Sequence, residues 1–228
     1  MIIIEPTGGL CNRLRVLFSY YKLAESKQQQ LHVIWTPNEE CPGHFLDYFE
    51  TIKNVSFIQY NKKLKPFIMY KGCQWHPQYN PYQQFIYKSL RLNKKLKQEI
   101  DNRIHKLENN YVAVHIRRTD HIQLAKQRNV YTCDDEFEYF INDYKNVYIA
   151  TDNVITYTKF SKKYKDRIKF PYHQHNTKHL RHTTLHDSII DLFMCIHASH
   201  FKGSGYSSFS DFINQMRSKN TKLNIKSS

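Results

Sequence analysis

The stretch YVAVHIRRTD, residues 111–120, ends an apolar run in two adjacent arginines, Arg117 and Arg118, followed by Thr119 and Asp120. In α/β proteins ligands bind outside the carboxyl ends of strands. Paired guanidinium groups there suit an anion, most simply a phosphate, which a guanidinium can meet with two parallel N–H donors. Successive strand residues point to opposite faces, so the two arginines are not expected to serve one ligand together unless the strand has ended before them. One is expected to bind phosphate and the other to hold structure through a buried acid, with Asp120, Asp152 and Asp191 as candidates. The alternative is that both stand in structural ion pairs, which are common.

Glycine is scarce, six in the chain, yet Gly8, Gly9, Gly203 and Gly205 fall in just two loops, each before a helical pattern. Such loops let backbone approach a ligand, and the following helix start adds amide donors and a positive dipole. In the second loop, GSGYSSFSDF, the serines can either cap the helix or bind phosphate. The third glycine of a dinucleotide fingerprint is missing and no later strand delivers a ribose-binding acid, so an NAD site is not expected. TGGLCNR likewise lacks the Gly-Lys-Ser/Thr of a phosphate-binding NTPase loop. No metal is expected. His173, His175, His179 and His182 have no cysteine or carboxylate with them in their loop, and the acids of CDDEFEY at 133–139 read as first-turn residues of a helix.

The elements that position these residues follow a β-α-β rhythm, which implies parallel sheets covered by helices. MIII, LHVIW and VSFIQY read as strands. GGLCNRLRVLFSYYKLAESK reads as a turn and helix with Leu14, Leu17, Phe18, Tyr21 and Ala24 on one stripe, and FLDYFETI as a short helix. Residues 66–87 read as an irregular connection. A long charged helix is expected over 88–108, with Leu92, Leu96, Ile100, Ile104 and Leu107 on one face. A second rhythm follows: strands at YVAVHI, NVYIATD, RIKFP and HFKGS, and helices at CDDEFEYFINDY, NVITYTKFSKKY, HDSIIDLFMCIHAS and SSFSDFINQMRS. Two small α/β lobes are thus expected: 1–87, a linking helix 88–109, and 110–228.

The composition is that of a globular chain, 40% hydrophobic and 14% aromatic. A formal charge of +14 favours anionic partners, whether nucleotide, nucleic acid, acidic glycan or anionic membrane surface. Five scattered cysteines with no CxxC argue for reduced thiols. No signal peptide or spanning run is read, so the expectation is a soluble, cytoplasmic protein with no membrane partner. The basic, histidine-rich tract 159–182 reads either as a nucleic-acid or anionic-acceptor footprint or as a solvated lysine face.

Four motifs together resemble the GDP-fucose-dependent fucosyltransferases of the α1,2, α1,6 and protein O-fucosyl groups: GGLCNR at 8–13, HIRRTD at 115–120, IATDN at 149–153 and DLFMCIHASHFKGSGYSSFSDF at 191–212. They occur in the family's order and span nearly the whole chain. The resemblance implies a glycosyltransferase-B-like fold, two Rossmann-like lobes facing a cleft with the donor gripped by the C-terminal lobe. It also implies an inverting, metal-independent transfer of fucose from GDP-fucose to a hydroxyl of a glycan or glycoprotein, with no cofactor. By this resemblance Arg118 contacts the β-phosphate while Arg117 is partly structural, and His115 lies near guanosine or pyrophosphate. Asp152 or Asp191 helps hold the nucleotide. Ser207 and Ser208, with Phe209 in the same turn, meet phosphate at the helix start, and Gly9 and Asn12 approach from the other lobe. Asp120 is a candidate general base, beside Glu5, Asp47 and Asp134, the alternative being that no strong base is used. The short chain implies a minimal acceptor lobe. A glycosyltransferase for another nucleotide sugar, or a basic nucleic-acid-binding protein with nucleic acid an unlikelier partner, are the other readings.

Overall fold

The computed structural model describes residues 1–81, 86–120, 122–172 and 183–224, with side chains described as far as residue 217. The chain divides into two units, Met1–Lys94 and Lys95–Ser228.

In the first unit, β1 (Ile2–Pro6) is buried along its whole length, as a strand covered on both faces of a parallel sheet must be. It is followed by α1 (Leu10–Ser26), β2 (Leu31–Ile34), β3 (Val55–Ile58) and β4 (Tyr70–Gly72), all paired in parallel in the order β3-β2-β1-β4. The expected stripe of α1 is buried in full. The same helix also buries Arg13. Its Nε donates to Gly8 O at 2.7 Å, its Nη1 to Thr36 O at 2.7 Å, and its guanidinium stands over the Trp35 ring. One side chain therefore ties the loop after β1 to the end of β2.

Three expectations differ here. FLDYFETI forms only a 3₁₀ turn at Phe45–Asp47, because Phe45 and Phe49 stack in the core and Phe49 then bridges Leu92. The irregular connection contains β4, three residues recognisable only by their pairing with β1. The long helix starts late, as α2 (Lys94–Lys106), since Leu92 and Asn93 are held by backbone bonds to the 48–49 region. It ends where Glu108 and Asn109 take positive φ.

In the second unit, β5 (Val112–Ile116), α3 (Ile122–Gln127), α4 (Asp134–Ile141), β6 (Val147–Thr151), α5 (Val154–Tyr164), α6 (Leu185–His197), β7 (His200–Gly203) and α7 (Ser208–Asn224) build a parallel sheet of order β6-β5-β7. The expected RIKFP strand shrinks to one bridge, Ile168 to Val147. Its Arg167 is drawn instead to Ile141 O and Asn142 O at the C-terminus of α4 and to Tyr144 O just beyond it, the last at 2.7 Å, where a cation suits the helix dipole. In the described part of the basic tract, Lys159, Lys163 and Lys169 pair with Asp134, Glu138 and Glu108. Residues 173–182, with the four histidines of the metal reading, lie outside the described residues.

Each sheet reverses direction once. From β1 the chain steps outward to β2 and β3, then returns to β1's other side as β4; from β5 it steps to β6 and returns as β7. The crevices between β1 and β4 and between β5 and β7, at the carboxyl ends of the strands, are therefore topological switch points, the usual ligand sites of open α/β sheets.

Gly205, in the loop after β7, has no room for a side chain: a Cβ there would lie 1.8 Å from Val130 O. Gly205→Ala is expected to lower stability by about 2–4 kcal/mol, read as a reduced urea midpoint with the slope unchanged.

Candidate active site

The alternation of β5 decides which way each site residue points. Val112, Val114 and Ile116 pack against Phe137 and Ile141 of α4 and Phe160 and Tyr164 of α5. His115 faces the opposite layer, its Nδ1 2.7 Å from Ser210 Oγ and its ring 4.7 Å from that of Phe209, both on α7. Gly203 allows this approach, since a Cβ there would come within 2.5 Å of Ser210 Cβ and Oγ.

Beyond β5 the two arginines take different partners. Arg118 turns to the α4 side. Its Nη2 donates to Asp134 at 2.7 Å and Thr132 O at 3.0 Å, its Nη1 to Arg117 O at 2.9 Å, and the rings of Tyr131 and Phe137 lie 5.1 and 5.7 Å from the guanidinium. Arg117 meets Asp120 along one edge, Nε and Nη2 each 2.7 Å from a carboxylate oxygen. Both arginines thus stand in ion pairs, but Arg118 is surrounded by protein acceptors and rings whereas Arg117 is engaged on a single edge.

Their backbone is locked from both neighbouring strands. Ser204 Oγ, after β7, accepts the Arg117 N–H at 2.9 Å, while its own N–H reaches His115 O. Asp152, after β6, accepts the Arg118 N–H at 2.8 Å on one oxygen and the Thr119 hydroxyl on the other. Ser207 is fully buried and caps α7, its Oγ accepting from Ser210 N at 3.3 Å; Ser208 opens the helix and is partly exposed. The positive end of α7 therefore stands at the β5–β7 switch point. Arg117, Arg118, Asp120, Ser204, Gly205 and Tyr206 line a pocket of about 250 Å³ there.

A larger pocket of about 500 Å³ flanks β6, walled by Tyr148, Tyr157, Phe170, Tyr172, Asp187 and Asp191 among others. Burial pushes the Asp191 carboxyl up to about 7, against the Tyr148 hydroxyl that donates to it at 2.7 Å. The Tyr172 hydroxyl is buried with no hydrogen-bond partner among the described residues. These aromatic walls were not legible as a site: residues 103, 148, 157, 172 and 187 meet only in the fold, and the one local signal was the clustering of aromatics in KFPY.

The second unit thus brings His115, Arg117, Arg118, Asp120, Asp152, Ser207, Ser208 and Phe209 to one end of its sheet, with Asp191 in the flanking pocket. Gly9 and Asn12 belong to the first unit, where Gly9 is the N-cap of α1 and Asn12 lies in its first turn, at the β1–β4 switch point. Gly8 before them takes a φ of +82°, open to glycine at little cost. Of the other acids, Glu5 pairs with Lys71 at 2.9 Å and Asp47 accepts the His44 N–H. Among the described residues no group of three or more His, Cys, Asp or Glu could hold a metal ion, and no helix is long and apolar enough to cross a membrane.

Parallel sheets with an anion crevice at the switch point and an aromatic pocket beside it define a nucleotide-binding α/β protein of the glycosyltransferase-B-like class. The chain belongs to the GDP-fucose protein O-fucosyltransferase family, whose model matches residues 13–220; it is a glycosyltransferase, a fucosyltransferase with GDP-fucose as donor. A search of curated proteins gives no match. Among solved structures it resembles NodZ α-1,6-fucosyltransferase soaked with GDP-fucose, with a TM-score of 0.64 at 14% identity over 94% of this chain and 91% of that one. A structure of the fucosyltransferase NodZ from Bradyrhizobium gives 0.62 at 14% over 93% and 91%. POFUT1 in complex with GDP-fucose gives 0.62 at 12% over 95% and 94%. At these identities the likeness is one of fold.

Asp134 carries the cost of fixing Arg118. Burial pushes its carboxyl up, but hydrogen bonds from Lys159 and Arg118 prevail and hold it below its ordinary value of 3.8. A depressed folded-state value means stability that is present above 3.8 and lost as pH falls through the lower value. Asp134→Asn is therefore expected to be about 1–2 kcal/mol less stable than the parent at neutral pH, the gap closing on acidification in parallel thermal melts.

Proposed function

We propose that the chain transfers fucose from GDP-fucose to a hydroxyl of a glycan or protein acceptor, with inversion and without a metal, and that Arg117 rather than Arg118 is the ligand of the departing phosphate. The observation that carries this is how differently the two guanidinium groups are engaged after β5. Arg118 is held in a cage of Asp134, Thr132 O, Tyr131 and Phe137, whereas Arg117 meets Asp120 along one edge and lines the crevice beside Ser204, Gly205 and Tyr206. In this reading the roles implied by the resemblance are exchanged between the two arginines, because the Arg118 donors are already taken by protein acceptors.

Breaking the sugar–phosphate bond loads negative charge on GDP. A preorganised guanidinium and the first amides of α7 are positive groups that gain energy as that charge develops. They supply what a divalent cation would otherwise supply. Asp120, with both oxygens on Arg117, acts in this reading as the positioning residue for that guanidinium. His115, aligned by Ser210 and packed on Phe209, walls the nucleotide side of the crevice. The guanine base takes the aromatic pocket, with the Asp191 carboxylate accepting from its N–H groups. Asp152 serves by holding the Arg118–Thr119 turn, and Ser208 lies where its hydroxyl can meet phosphate. Gly9 and Asn12 lie at the first unit's own switch point, where backbone amides at the start of α1 can meet an anion.

Two measurements test the assignment. Calorimetric titration of GDP should show binding lost in Arg117→Ala and not restored in Arg117→Lys, whose point charge lacks the fork. Turnover of GDP-fucose, in chelator, should fall on the order of 10²–10³-fold in the same variant. Arg118→Ala should instead lower the melting temperature first. Loss of GDP binding in a well-folded Arg118→Ala, with Arg117→Ala binding normally, would overturn the exchange. For the base, the ionised Asp191 is the accepting form, so GDP affinity should rise as pH passes upward through about 7. The gain should be about tenfold from one unit below that value to one above, and Asp191→Asn should flatten the profile.

A further inference from the structure

The amino ends of the first unit's strands, opposite the Gly8–Asn12 loop, carry charge and apolar surface that the transferase reading does not use. Residues 51–94 contain eight lysines and arginines and no aspartate or glutamate. Between β3 and β4 the segment NKKLKPFIM at 61–69 runs as a 3₁₀ turn with Lys62, Lys63 and Lys65 exposed. Phe67 and Met69 that follow are 65% and 53% exposed, although the same unit buries Phe18 and Phe45 almost completely. Met69 N donates to Ile3 O, Leu31 N to Asn54 O and Ile2 N to Gln30 O. These bonds place Phe67 and Met69 at the same end of the sheet as Asn54 and Gln30, with exposed Lys53 and Lys27 close by in the chain. Glu25, the acid at this end of α1, is paired with Lys22 at 2.6 Å.

We propose that this end of the first unit docks on an anionic lipid surface. Phe67 and Met69 enter the headgroup–acyl boundary, and Lys53, Lys62, Lys63 and Lys65 neutralise anionic headgroups. Exposed apolar side chains set among lysines are the composition of an interfacial anchor. A nucleic-acid groove would instead present stacked aromatics with arginine, and this segment has no arginine. Because strand amino ends and carboxyl ends are opposite, docking by this end leaves the Gly8–Asn12 loop facing away from the bilayer. The absence of a spanning run, on which the expectation of no membrane partner rested, does not bear on a peripheral surface. The inference is independent of the transferase reading.

The test is co-sedimentation of the full chain with vesicles of phosphatidylcholine alone and of phosphatidylcholine mixed with phosphatidylserine. Binding is expected only with the anionic lipid, and it should weaken at high salt. Replacing Lys62, Lys63 and Lys65 together by Gln should lower partitioning on the order of a hundredfold. Phe67→Ala with Met69→Ala should lower it about tenfold or more. The thermal melt of both variants should match that of the parent, which reports that they are folded. Equal binding to both vesicles, or none to either, overturns the proposal with the unaltered protein alone. So does binding to anionic vesicles that is indifferent to the Phe67 and Met69 changes, or retention by a soluble polyanion such as heparin without vesicle binding.

Discussion

The clamp on the backbone after β5 is the constraint on which the second unit depends. Ser204 holds the Arg117 amide from the β7 side and Asp152 holds the Arg118 amide from the β6 side. A chain leaving a strand is ordinarily free to curl away, and its side chains lose the two-faced order of the strand. Here two short polar side chains extend that order by two residues. Each arginine then meets its own carboxylate, Arg117 that of Asp120 and Arg118 that of Asp134, although both line one crevice. Burying two guanidinium groups in this way is tolerable because each has a carboxylate in direct contact.

Both units use one topological device for different ends. In the first, the return from β3 to β4 opens a crevice beside a glycine loop that Arg13 stitches to β2. In the second, the return from β6 to β7 opens a crevice beside a serine-capped helix start. The difference is chemical: backbone and amide groups of Gly8, Gly9 and Asn12 on one side, guanidinium and helix dipole on the other.

Much of this was legible in the sequence because it is local. The apolar run at 112–116, the glycine loops and the stripe of α1 are set by neighbours within a few residues, and the fold class follows from their order. Alternation also suggested different partners for Arg117 and Arg118, which pair with Asp120 and Asp134. Which arginine is enclosed was not legible, since it depends on α4 packing on one face of the sheet, where Asp134 and Phe137 meet Arg118. The same holds for β4, whose three residues carry no period of their own, and for the pocket around Asp191, assembled from helices and strands far apart in the chain. Leu92 shows the reverse error: it fits the helical stripe of α2, but its bridge to Phe49 holds it extended.

The contact between Gly203 and Ser210 has a consequence for how this chain can diverge. The two residues sit so close that a larger residue at 203 would have to displace Ser210, and with it the hydroxyl that meets His115. Drift at either position is therefore coupled to the other, and through it to a ring in the middle of the sheet. Two sites seven residues apart on different elements form one heritable unit, so that among descendants of this sequence they should change together or not at all.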